Sequence, residues 1–326
     1  MKPSFALAAA LAATFLLLAS GAMAQGTLGE RMRQQQPGGG APVTVQVACG
    51  RLDKSNCGQV LPRLMEHVGA NVVLKPVESE GSLESTTGVC EGVVEAALAQ
   101  RDSVNQRVRR DCVGKVDVVG RPLYPYYGYL VTAAGNRADS IDELVRNVGQ
   151  GQTVRIAAGS ETSGGQTTMQ AMLDANPAWK RAVTVSNYSQ DSALQRITSG
   201  SVDAFFVMDS PHSELLDRIR TAVDARNKPT FKFLDVRPGS GFYGLKDWRN
   251  QFLYQEVVLE GGLFSSTKTV STDAVLIMNN AFRENRQLGG PRAAEALDTA
   301  ADRATAGILA DTQAPRDWTP ASARTR

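Results

Sequence analysis

Strand and helix patterns alternate along this chain from residue 43 onward, and this alternation limits the possible fold more than any other feature. Short runs rich in β-branched residues predict strands, whereas apolar residues at helical spacing, such as Val60, Leu61, Leu64 and Val68, predict helices. The first half contains, in chain order, a predicted strand over 43–48, a helix over 58–68, a strand over 72–77, a helix from Ser82, a strand over 93–99 and a helix over 102–110. Alternation of this kind favours a parallel α/β sheet.

The same alternation restarts in the second half. Strand patterns at 116–119 and 126–133 are separated by Pro122 and Pro125, where we expect the chain to cross between two lobes. Ser140 and Glu143 then form a capping box that predicts a helix start. Strands over 154–158, 183–185 and 204–207 alternate with helices over 166–176 and 191–199. A mature chain of roughly 300 residues exceeds what one core usually covers, so the fold class is expected to be α/β with two lobes.

A late apolar stretch suggests how the two lobes are joined. Residues 269–278 predict a strand that returns to the first lobe, and residues 292–309 predict an Ala-rich helix. Two chain segments would then connect the lobes and form a hinge. The predicted boundaries are 43–132 with 265–310 for lobe 1, 133–264 for lobe 2 and 311–326 for a tail whose last dozen residues fray.

The N-terminus has the pattern of a secretory signal peptide. Lys2 precedes an apolar run over residues 5–19, and the small-residue triplet Ala22-Met23-Ala24 offers a cleavage site. The apolar run is shorter than the roughly 20 residues that span a bilayer. Residues 1–24 are therefore predicted to be removed on export to the periplasm. Residues 25–42, with a Gln run and three consecutive glycines, predict a flexible leader.

Charge and cysteine content narrow the function class. The formal net charge is only +2, and the arginines are scattered without interleaved aromatics, which excludes a typical nucleic-acid-binding surface. The even number of cysteines in an oxidising compartment favours two disulfides. Three pairings are possible, and the local one joins Cys49 to Cys57 and Cys90 to Cys112.

Metal and enzyme signatures are weak. No C-x-x-C occurs, and the histidines are His67 and His212, which disfavours zinc and a Ser-His-Asp triad. Residues 265–268 match S-x-x-K, but no later K-T-G follows, and the chain has no G-x-S-x-G or P-loop. We expect neither an enzyme nor a bound metal or cofactor.

A loop rich in glycine and hydroxyl side chains, residues 159–165, lies between a predicted strand and a predicted helix. The start of a helix exposes unpaired N–H groups and about half a positive charge, so a small-residue loop there can hold a carboxylate. An ordinary strand-to-helix turn would have the same composition, and Glu161 counts against a highly charged phosphate. The candidate ligand contacts in this loop are Ser160, Thr162, Ser163, Gly164 and Gly165.

Three further side chains lie at predicted strand ends or helix starts, where open α/β sheets bind ligands. Ser82 begins a helix that would face the loop 159–165 across a cleft, although a plain N-cap is an equal alternative. Gln100 follows the third strand as a candidate polar contact, and Arg101 beside it could equally be a solvated surface charge. Asp209 ends a strand and could bind a ligand ammonium or cap the following helix.

Several segments carry a family resemblance. They are residues 80–82, 96–102, 127–132, 140–144, 159–165 and 200–206. In this order and spacing they resemble the TAXI family of periplasmic solute-binding proteins, which serve tripartite (TRAP) transporters driven by ion gradients. The Cys49–Cys57 loop departs from the family, which has a Gly- and Tyr-rich loop after the first strand.

The resemblance implies a type II periplasmic binding fold that closes around a small organic acid or amino acid. The implied partners are that solute and the membrane subunits of a transporter, with the receptor itself a monomer. Asp209, Ser210 and Pro211 also resemble the amine-binding turn of the amino-acid receptors of ATP-driven importers, which gives one alternative. A periplasmic sensor or interaction protein on the same fold is another.

Overall fold

The computed structural model of the protein describes residues 41–51, 56–149, 151–210, 213–259, 267–312 and 320–323. The predicted signal peptide and nearly all of the predicted leader lie outside these residues. Within them, no helix is both long and apolar enough to cross a membrane.

The strands of the described residues follow the predicted alternation closely. They are β1 (Val43–Ala48), β2 (Val72–Val77), β3 (Ala96–Gln100), β4 (Val116–Ala133), β5 (Val154–Ala157), β6 (Val183–Ser186), β7 (Ala204–Asp209), β8 (Phe231–Leu234), β9 (Gln255–Leu259) and β10 (Thr267–Asn279). They form one mixed sheet in the order β2-β1-β3-β10-β4-β7-β5-β6, with β8 paired to β4 and β9 paired to β10.

The helices cover the faces of this sheet. They are α1 (Leu61–Met65), α2 (Ser82–Cys90), α3 (Arg101–Arg107), α4 (Ile141–Asn147), α5 (Gly164–Ala175), α6 (Pro177–Ala182), α7 (Gln190–Thr198), α8 (Glu214–Thr221), α9 (Ser240–Tyr243), α10 (Asn280–Glu284) and α11 (Gly290–Asp311). A π-helical turn, Asn56–Val60, precedes α1, and another, Val108–Cys112, follows α3.

Each half of the sheet is mostly parallel and has its own core. In the first, β1 pairs in parallel with β2 and β3, and its core includes Val104, Val116 and Ile277. In the second, β5 pairs in parallel with β6 and β7, and its core includes Ile197, Phe205 and Leu216. This is the expected two-lobe α/β architecture.

Two antiparallel strands, β4 and β10, run through both lobes. At one end β10 pairs with β3, and at the other it pairs with β9, while β4 pairs with β7 and β8 in the second lobe. The prediction that two segments connect the lobes is therefore confirmed. The exact lobe boundaries stay a prediction.

The prediction that Pro122 and Pro125 separate two strands is wrong, because β4 continues through both. The pairing with β10 slips there: Val119 lies opposite Leu276, but Tyr124 already lies opposite Ala274. Pro122 lies among the intervening residues, which bulge out of the ladder, so its missing N–H costs no hydrogen bond to β10, whereas Pro125 lies in the ladder opposite Asp273.

The local disulfide pairing is confirmed. Cys49 is joined to Cys57 and Cys90 to Cys112, with Cα atoms 5.2 and 5.8 Å apart. The expected fraying of the C-terminus is wrong for residues 320–323. Ala321 is buried there, and its N–H donates to the Asp273 carboxylate at 3.0 Å.

Candidate ligand-binding cleft

A cleft of about 980 Å³ lies between the two lobes. The C-terminal ends of β1, β3 and β7 and the loop after β5 open into it, which is the usual ligand position in open α/β sheets. Tyr126 on the hinge strand β4 and the first turn of α8 also line it. The disulfide-closed loop contributes Cys49, Gly50, Arg51 and Asn56.

The predicted loop 159–165 begins α5 as expected, and it lines the cleft through Gly159, Ser160, Ser163, Gly164 and Gly165 but not through Thr162. Ser163 caps the helix: its Oγ accepts from the Gln166 N–H at 3.2 Å and donates to the Ala158 carbonyl at 2.9 Å. Gly159 has φ +85°, a left-handed conformation that favours glycine. Ser160 and Thr162 have their hydroxyl oxygens 3.5 Å apart. The loop thus satisfies much of its own hydrogen bonding.

The two predicted helix starts contact each other directly. The Leu83 N–H in the first turn of α2 donates to the Thr162 carbonyl of the other lobe at 3.1 Å. A Cβ added to Gly81 would lie 2.6 Å from that same oxygen, so the backbones are close to van der Waals contact. One orphan N–H of α2 therefore binds a protein carbonyl, whereas the sequence had suggested a solute between the two helix starts.

Ser82 and Gln100 both line the cleft and are hydrogen-bonded to each other. The Gln100 N–H donates to Ser82 Oγ at 3.0 Å. The Gln100 side chain is 2% exposed, and its amide donates to Asp102 and to Thr168 at 3.0 and 3.2 Å. Gly164 leaves the space that this amide fills, since a Cβ there would overlap it. The roles of Ser82 and Gln100 as ligand contacts stay predictions.

Arg101 is neither a cleft residue nor a solvated surface charge. Its guanidinium is 2% exposed and forms an ion pair with the fully buried Asp247 carboxylate at 2.6 Å. It also donates to the Gln251 side chain. The alternative of a surface charge is wrong because a segment far along the chain covers this arginine.

Asp102 is a second buried ionisable group that sequence reasoning did not single out. Its carboxylate accepts from the Thr168 hydroxyl at 2.5 Å and from the Tyr254 hydroxyl at 2.9 Å. Burial raises the pKa of Asp102 above its ordinary value, although these hydrogen bonds oppose the shift. Burial also raises the pKa of Tyr254.

Asp209 lines the cleft at the end of β7, as predicted. One of its oxygens accepts from the Ser210 N–H at 2.8 Å. It does not cap the next helix, because Ser213 caps α8 with its hydroxyl. Burial raises the pKa of Tyr126 to about 12, and the nearby Asp209 charge adds to that rise. The cleft thus contains the neutral phenol of Tyr126 beside a carboxylate.

Acidic side chains dominate the charge of this cleft. Among its described lining residues, Arg51 is the one basic residue against six carboxylates. These are Glu78, Glu80, Glu84, Asp191, Asp209 and Glu214. Asp191 is paired with Arg218 at 2.6 Å, and five of the six carboxylates are exposed, so water screens their charges. The formal charge of the described lining residues is negative, which disfavours a dicarboxylate and favours a cation.

No protein-family profile and no curated protein matches the sequence. Solved structures do match. A Listeria monocytogenes protein assigned to an L-cystine ABC transporter superposes with a TM-score of 0.51 at 11% identity, over 87% of this chain and all of that one.

Two others have lower scores. One, assigned as an amino-acid ABC transporter extracellular-binding protein of Bacillus subtilis, has a TM-score of 0.48 at 12% identity over 83% of this chain and 93% of that one. The other is a Streptococcus pneumoniae amino-acid ABC transporter substrate-binding protein bound to L-arginine. It has a TM-score of 0.46 at 11% identity, over 87% of this chain and 97% of that one. At such identities the likeness shows the two-lobe periplasmic-binding-protein fold and nothing about the solute.

Proposed function

We propose that this protein is a noncatalytic periplasmic receptor whose interlobe cleft binds a small solute carrying a cationic group, with an amino acid as the leading class. The observation that supports this most is the cleft charge, six carboxylates against Arg51. A carboxylate-bearing solute remains compatible only if an ammonium or guanidinium offsets its charge. Simple organic acids are thereby disfavoured.

Asp209 is the proposed counter-charge for the cationic group. It lies at the end of β7 and is only partly buried, beside the phenol of Tyr126 on the hinge strand. A partly desolvated carboxylate attracts a cation more strongly than an exposed carboxylate does, because water screens the interaction less. Arg51 on the opposite lobe would bind the carboxylate of an amino acid.

The proposed partner is the membrane portion of a transporter. The resemblance of six segments to the TAXI family supports a TRAP-type partner, whereas the Asp209-Ser210-Pro211 turn and the acidic lining support an ATP-driven amino-acid importer. The direct contact of Leu83 with Thr162 favours a second candidate, a sensor or interaction protein that keeps its lobes together.

The test is a binding screen on the mature protein, unfolded and refolded to remove any bound solute. A ligand at 100 times its dissociation constant should add about 2.7 kcal/mol of stability, which a thermal-shift assay detects. We expect L-arginine, L-lysine or a diamine to stabilise the protein, and succinate and L-glutamate to have no effect.

Substitution then locates the site. Asp209→Asn should weaken binding of the positive hit about tenfold or more by calorimetry, a loss of about 1.4 kcal/mol. Asp174→Asn is the control, because it removes an exposed carboxylate on the same lobe outside the cleft. Binding of dicarboxylates alone, or equal affinity in Asp209→Asn, contradicts the cationic-solute proposal. A folded protein that binds none of these compounds favours the sensor candidate.

A further inference from the structure

Residues 240–254 form a segment that leaves the second lobe and returns to it. It lies in the chain between β8 and β9, both of which pair with the second-lobe ends of the crossing strands. Backbone hydrogen bonds from Asp247 to Gln251 and from Leu253 to Leu245, 2.8 and 3.1 Å long, fold it into a hairpin. Phe242 stacks on Tyr254 at its base, with ring centroids 4.0 Å apart.

The tip of this hairpin is anchored in the first lobe. Asp247 is the partner of Arg101 at the start of α3, and both side chains are at least 98% buried. Arg109, at the end of the same helical region, donates to the carbonyls of Lys246 and Asp247 at 2.9 and 3.2 Å. Trp248 packs against the hydrophobic core of the first lobe.

A second set of buried contacts lies beside the first. Asp102 of lobe 1 accepts hydrogen bonds from Thr168 on α5 and from Tyr254 at the base of the hairpin. Thr167 donates to the Gln106 side chain at 3.1 Å across the same interface. Most of these groups have little access to water, so opening the lobes here would separate an ion pair and several hydrogen bonds at once.

We propose that residues 240–254 are an interlobe strap that holds the two lobes closed when no solute is bound. A hinge motion about β4 and β10 would have to pull Asp247 away from Arg101 and Tyr254 away from Asp102. Separating a buried, hydrogen-bonded ion pair leaves each charge uncompensated and is strongly unfavourable. The cleft is then a preformed chamber that a solute enters without opening of the lobes. This proposal does not depend on the identity of the solute.

The strap is tested by an interlobe distance in the mature protein, again stripped of solute by refolding. Spin labels on genetically encoded residues at Val73 and Lys180, both exposed and on opposite lobes, leave the native disulfides intact. We expect one narrow distance distribution in the solute-free protein, unchanged by saturating L-arginine or succinate. A broad or longer distribution that shortens on addition of either compound overturns the proposal.

Two variants should open the lobes. Asp247→Asn removes the charge that pairs with Arg101. Trp248→Ala removes the side chain that packs the tip of the hairpin against the core of the first lobe. Each should add a longer-distance population that is absent from the parent.

Arg249→Ala is the control from the same hairpin, because its pair with Asp117, at 3.6 Å, is solvent-exposed. It should keep the parent distribution. If Asp247→Asn does not fold, Trp248→Ala still tests the strap. An unchanged distance in a folded Trp248→Ala or Asp247→Asn protein shows that the strap does not hold the lobes.

Discussion

Asp102 illustrates how one residue can make stability depend on pH. Its carboxylate is buried with neutral partners, and desolvation raises its pKa above the unfolded value of about 3.9. At pH values between the unfolded pKa and the folded pKa of Asp102, the folded state therefore binds more protons than the unfolded state. The stability from this group is fully present below the unfolded pKa and is lost as pH rises through the folded pKa.

We predict that Asp102→Asn removes this pH dependence. The amide can still accept from Gln100 and donate to the hydroxyls of Thr168 and Tyr254, which accept as well as donate. Relative to the variant, the parent should lose stability as pH rises from about 4. Urea unfolding at a series of pH values measures the difference.

Asp311→Asn provides a control of opposite sign. Its hydrogen bond and ion pair with Arg63 lower the pKa of Asp311, so its stability is present above the unfolded pKa and lost as pH falls through the folded pKa. The Asp311 variant should therefore differ from the parent most at neutral pH. Parallel pH profiles for Asp102→Asn and the parent would contradict the prediction.

The same residues show what local sequence cannot predict about a site. The sequence correctly placed Asp209 at a strand end and Ser163 at a helix start, because neighbouring residues decide both. Arg101 and Asp247 are 146 positions apart, and a charged side chain at a helix start has no local signal that a distant hairpin will bury it. The sequence predicted the starts of α2 and α5, but it did not predict that these two helix starts contact each other.

At the scale of elements, the two disulfides close loops of different length in different surroundings. Cys90 and Cys112 are 22 positions apart and lie in the first-lobe core, whereas Cys49 and Cys57 are 8 apart and Cys49 lines the cleft. A longer closed loop restricts the unfolded chain more, and a bridge beside the cleft positions residues that could contact a solute.

We predict a split between stability and binding. Replacing both cysteines of a pair by alanine should cost about 3.4 kcal/mol for Cys90–Cys112 and about 2.5 kcal/mol for Cys49–Cys57 by the loop-entropy relation. Solute affinity should fall about tenfold only when Cys49 and Cys57 are replaced, since the disulfide then no longer fixes the position of Gly50 and Arg51. Denaturant unfolding and calorimetry on both variants measure this, and equal affinity losses would contradict it.

Elements with a strong internal period were predicted well, and those that depend on partners were not. The ranges 43–48 and 72–77 match β1 and β2, because β-branched runs bounded by polar turns have few alternatives. The 18-residue β4 was missed because its pairing with β10 outweighs the local effect of two prolines. Short elements such as β8 and α9 have too few residues to show a period.

At the scale of the whole molecule, the two lobes are linked more tightly than a hinge of two strands requires. They share a continuous sheet through β4 and β10, and the strap adds buried contacts on the side of α3. The sequence predicted both connections, the crossing near Pro122 and Pro125 and the returning strand over 269–278. It could not predict the strap, whose anchoring depends on contacts between distant segments, among them the buried ion pair of Arg101 with Asp247.

We predict that this coupling makes the mature protein unfold in one cooperative transition. Its van't Hoff and calorimetric enthalpies should agree, which is the test of two-state behaviour. Asp247→Ala leaves Arg101 buried without its acidic partner, at a cost of about 3–5 kcal/mol, and should separate the unfolding of the lobes into two transitions. Arg249→Ala is the control from the same hairpin, because its pair with Asp117, at 3.6 Å, is solvent-exposed and worth less than about 1 kcal/mol. Two transitions already present in the parent would show that the strap does not couple the lobes.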